Sequence, residues 1–147
     1  MNQEFFGLLG AGLVLGIATI GTAIGIGTAG SAAIGAAKRC LKANLPVPML
    51  MLTFVGFPLT QIIYGFIIMQ QMLNVTVTAA NSGKLFGFGI GSGLAMALAA
   101  IFQGKAGAAA CDALGDTGKG VAFYVAVLGI IETVALFGMV FTITSVS

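Results

Sequence analysis

Glu132 is the only acidic residue set within an apolar core stretch, in the run Gly129-Ile-Ile-Glu132-Thr-Val-Ala-Leu-Phe137. A carboxyl group at the centre of a bilayer costs about +2.5 to +3.5 kcal/mol on insertion scales, so such residues are rare and usually carry ions or protons. A permanently protonated acid could also bridge helices, but Gln or Asn would do that without titrating. In a second apolar stretch, Phe57, Thr60, Gln61 and Tyr64 recur at intervals of three or four residues. That spacing puts them on one face of a helix. Gln103 adds an amide from a third stretch. Two carboxylate oxygens of Glu132, the amide oxygens of Gln61 and Gln103, the Thr60 hydroxyl and a backbone carbonyl make a shell suited to a small hard cation. Tyr64 brings no charge, but its hydroxyl can donate to the Glu132 carboxylate and hold it ionised. Pro58 interrupts its helix and frees the carbonyl of Phe54. Each polar residue alone reads as interhelical glue; their matched depth argues for one site. The number of oxygen donors favours sodium, with protons alone as the alternative, since amides also hydrogen-bond a neutral acid.

These side chains need elements that hold them at one depth in lipid. Only 7% of the 147 residues are charged and 59% are apolar, with no histidine, which excludes an ordinary water-soluble domain. Six Lys and Arg spread over separate regions, with a net charge of +2, disfavour nucleic-acid binding. A membrane-crossing helix takes about 20 apolar residues. Four such spans are expected, over about Phe5 to Ala37, Val47 to Leu73, Leu85 to Ala110 and Gly120 to Val146. Pro46 and Pro48 suit the first turn of the second span, and Asp112 to Lys119, with two glycines, reads as a polar turn. A barrel is excluded because period-2 alternation is missing. The fold class is therefore all-α, a single membrane domain over 1–147. Lys38, Arg39 and Lys42 in the first loop and Lys119 in the third predict that loops 1–2 and 3–4 are cytoplasmic, with both termini on the opposite side.

The chain also repeats. At a shift of about 70 residues span one falls on span three and span two on span four, so that Cys40 meets Cys111, Gln61 meets Glu132 and Phe66 meets Phe137. Repeat 1 covers about 5–73 and repeat 2 about 85–146, two tandem hairpins of the same orientation. Most of the 23 glycines fall in spans one and three. Runs such as Gly87-x-Gly89-x-Gly91-x-Gly93 let helix backbones approach closely, so these spans should pack most tightly and sit on the inner side of a homo-oligomeric ring. Gly25-Ile-Gly27-Thr-Ala-Gly30 spells a nucleotide-binding fingerprint, but no strand precedes it and it lies inside an apolar span, which leaves helix packing as its reading. Cys40 and Cys111 fit neither a disulfide framework nor a metal motif.

Phe57-Pro-Leu-Thr60-Gln61-Ile-Ile-Tyr64-Gly65 resembles the L-P-x-T-Q-x-x-Y-G segment of the duplicated rotor proteolipids (K or c-type) of V-type rotary ATPases, in their sodium-binding branch. Gln103-Gly104-Lys105 and Ile131-Glu132-Thr133-Val-Ala-Leu-Phe-Gly138 resemble the third- and fourth-span signatures of that family. The resemblance covers all four spans. It implies a non-catalytic membrane subunit in a rotor ring, turned through a central-stalk subunit while facing a stator membrane subunit that carries an arginine. It also implies an ion site made by the backbone carbonyl of Phe57 with side chains of Thr60, Gln61, Gln103 and Glu132. Phe replaces the usual Leu at 57; because that ligand is a carbonyl, packing should change more than coordination. The alternative from another class is a small four-helix proton-coupled exporter, which would need an aromatic pocket that a chain without Trp scarcely supplies.

Overall fold

The computed structural model describes residues 4–146. Its elements are α1 (Glu4–Lys42), α2 (Met51–Gly56), a 3₁₀ turn (Phe57–Leu59), α3 (Thr60–Leu73), α4 (Ser82–Thr117) and α5 (Val121–Val146). There is no strand among the described residues. Among the described residues, four helical stretches are long and apolar enough to cross a membrane, with α2, the 3₁₀ turn and α3 forming one of them. The chain is an all-α, multi-pass membrane protein.

The glycine spacing decides the packing. α1 and α4 run parallel, and glycines remove side chains where they meet: a Cβ on Gly89 would strike the Gly10 backbone, one on Gly21 the Ala97 backbone, and one on Gly104 the Gly25 backbone. Such approach gains dispersion contacts that lipid tails cannot make with a backbone. At one end Gly7 lies against Val77 and Leu85, and at the other Gly115 lies against Ala36 and Met51. We predict that Gly104→Leu separates α1 from α4. Overpacking of this kind costs about 1–3 kcal/mol or more, so the variant should melt well below the native chain in detergent; an unchanged midpoint would contradict the packing. α5 is the least covered element, with Phe123, Ile130, Val134 and Phe141 all more than 60% exposed, a surface fit for lipid or another chain.

Several boundaries differ from the sequence reading. Pro46 lies ahead of the helix, because Val47, the residue before Pro48, is held out of the helical region. Pro48 begins the first turn, which is closed by Met51 N–H to Pro48 O and Leu52 N–H to Met49 O, each at 3.1 Å. Asp112 to Thr117 is helix and not turn. Leu114 there is buried, and Asp112 and Asp116 both pair with Arg39. The connection shrinks to 118–120, where Gly118 takes a left-handed φ of 64° and its N–H caps Leu114 O at 2.8 Å. α1, at 39 residues, is about 58 Å long against a hydrocarbon thickness of about 30 Å. Its charged last turns therefore extend past the apolar layer, which explains how span one overruns Ala37. Cys40 and Cys111 are buried and free.

Candidate ion-binding site

The 3₁₀ turn at Phe57–Leu59 shapes one wall of the site. Pro58 cannot donate to the carbonyl of Phe54, and that carbonyl instead faces Gly107 of α4, where a Cβ would lie 2.8 Å from it. At the end of the turn the Phe57 carbonyl accepts both the Thr60 N–H and the Thr60 Oγ1–H, the latter at 3.0 Å. Two of the expected ligand oxygens are thus neighbours. From Thr60 the α-helix resumes, and Gln61 and Tyr64 lie on its inner side, Gln61 fully buried.

The amides form a directed chain. Gln103 Nε2 donates to the Leu128 carbonyl at 3.0 Å, and Gln61 Nε2 donates to Gln103 Oε1 at 3.0 Å. A carbonyl only accepts. Gln103 must therefore turn its nitrogen to α5 and its oxygen to Gln61, which in turn must present its own nitrogen. Gln61 Oε1 is left buried without a hydrogen-bond partner among the described residues. An unpaired buried acceptor costs about 1–3 kcal/mol, which a donor or a cation would recover.

Glu132 lies one helical turn beyond Leu128 on α5, and is partly buried. Its Oε1 accepts from the Tyr64 hydroxyl of α3 at 2.8 Å, so the expected pairing of tyrosine and carboxylate is present. The structure thus brings the residues together as three pairs: Phe57 with Thr60, Gln61 with Gln103, and Tyr64 with Glu132. No direct hydrogen bond joins Glu132 to either amide among the described residues. Sequence reasoning missed the Leu128 carbonyl, because its pairing with Gln103 depends on how α4 registers against α5. No cluster of three His, Cys, Asp or Glu is found among the described residues. The donors are carboxylate, amide, hydroxyl and carbonyl oxygens, a set that suits a hard monovalent or divalent cation over a transition metal.

The family model for the C subunit of ATP synthase matches this chain twice, over residues 9–70 and 86–144. The chain belongs to the ATP synthase C-subunit family. Both matched segments contain one half of the site, Gln61 and its neighbours in the first and Gln103 with Glu132 in the second. Among curated proteins, the A-type ATP synthase subunit K of Methanocaldococcus jannaschii is 34% identical over 148 residues, covering 97% of this chain. The chain spans 62% of the length of that relative.

Proposed function

We propose that this chain is the ion-carrying rotor subunit of a V- or A-type rotary ATPase, and that Glu132 carries one Na⁺ per chain. The observation that carries the reading is the Tyr64–Glu132 pair beside a buried amide chain ending in the unpaired Gln61 Oε1. A bound cation neutralises Glu132 and lets it pass through lipid; an empty carboxylate is too costly there. Sodium, a hard cation, favours about five or six oxygens. The Glu132 carboxylate, Gln61, Gln103, Thr60 and the Phe57 carbonyl would together supply that number, with Tyr64 orienting the carboxylate.

Copies of the chain assemble as a ring, with the glycine-rich α1 and α4 inside and α5 outward. The two hairpins, about 5–73 and 85–146, are a tandem duplication within one membrane domain. A stator subunit supplies an arginine that attracts the emptied Glu132, and a central-stalk subunit links the ring to ATP hydrolysis elsewhere; the rotor chain itself hydrolyses nothing. Loops 1–2 and 3–4 face the cytoplasm. Because Gln61 stands where the first repeat would place an acid, each chain moves one ion, and fewer ions per turn give more force per ion. Equilibrium binding of sodium-22 to the purified ring should saturate at one ion per chain. Two per chain would contradict the role of Gln61, and none would leave a proton rotor.

A further inference from the structure

Thr22 is 4% exposed and its Oγ1, like Gln61 Oε1, lacks a hydrogen-bond partner among the described residues. This is unusual within the chain. Thr19, Thr28, Ser31, Thr117 and Thr142 all turn their hydroxyls back to the carbonyl four residues earlier, the ordinary resting place of such groups in helices. The register of α1 against the second span puts Thr22 and Gln61 opposite one another. Gly65 meets Ala18, with a Cβ 2.9 Å away, and Gly25 meets Pro58 at 3.1 Å. The helices are antiparallel. Thr22 is four residues after Ala18 and three before Gly25; Gln61 is four before Gly65 and three after Pro58.

We propose that Thr22 is a positioning residue of the ion site: the two atoms are not bonded to each other in this structure, and rotation of the Thr22 side chain towards Gln61 when the ion binds lets its hydroxyl donate to Gln61 Oε1. Gln61 is already held at Nε2 by Gln103. A second tether at the oxygen fixes the amide against a flip, while the other lone pair of Oε1 still points to a cation. Without Thr22 the amide turns more freely and presents N–H groups to the ion, which repel it. The inference rests on the sodium reading above.

The test is sodium-22 affinity of the purified ring of the full chain. Thr22→Val, which keeps the shape and removes the hydroxyl, should weaken sodium binding about tenfold, and Thr22→Ser should restore it to within about threefold of native. If the Val variant fails to assemble, Thr22→Ala removes the hydroxyl without added bulk and should show the same loss. Native affinity in an assembled Val or Ala variant overturns the role of Thr22 alone, as does a Ser variant as weak as Val. A native ring that binds no sodium overturns the sodium reading and this inference with it.

Discussion

Glu132→Gln should abolish ion-coupled ATP hydrolysis in the complex and leave the ring assembled. The amide has the shape of the acid, and its oxygen can still accept from the Tyr64 hydroxyl that now donates to Oε1 at 2.8 Å. What is lost is the charge. A unit charge 4 Å from its counter-ion is worth about 4 kcal/mol at an effective dielectric constant near 20, so sodium affinity should fall by about a thousandfold. Gel filtration and sodium-22 binding on the same sample separate the two consequences. A variant that retains coupling, or one that no longer assembles, would place the role of Glu132 elsewhere.

The second large effect concerns the amides. Gln103→Leu removes both the acceptor for Gln61 Nε2 and the donor to Leu128 O, leaving the buried Gln61 nitrogen without a partner. Sodium affinity should fall by tenfold or more, about 1.4 kcal/mol or above. Gln61→Leu removes the unpaired amide oxygen of the site and should show a loss of the same order. If either leucine variant binds sodium as the native chain does, the amides are interhelical glue and not part of the ion's surroundings.

Much of this arrangement was legible in the residues because lipid simplifies the reading. Long apolar runs broken by charge marked four spans, and glycine spacing marked α1 and α4 as the close pair, now seen at Gly10 with Gly89 and Gly25 with Gly104. The break in the second span followed from Pro58. Helix ends were harder, because Asp112 and Asp116 look like turn residues until Arg39 is seen to reach them across 73 and 77 positions of sequence. No local pattern encodes that pairing. The faces of Thr60, Gln61 and Tyr64 followed from spacing, but backbone partners did not: the Leu128 carbonyl and the unpaired hydroxyl of Thr22 depend on how helices from different parts of the chain register.

The central claim is that Glu132 holds a sodium ion while ionised. A hydrophobic carbodiimide attacks protonated carboxyl groups in lipid, and it should modify Glu132 without modifying Asp112 or Asp116, which pair with Arg39 near the helix ends. The most direct measurement is therefore the rate of that labelling at fixed pH as sodium is raised from zero to saturation. An occupied carboxylate is held unprotonated, so the rate should fall progressively towards zero. A rate that stays constant across the whole sodium range would contradict sodium binding at Glu132 and leave the proton as the ion carried.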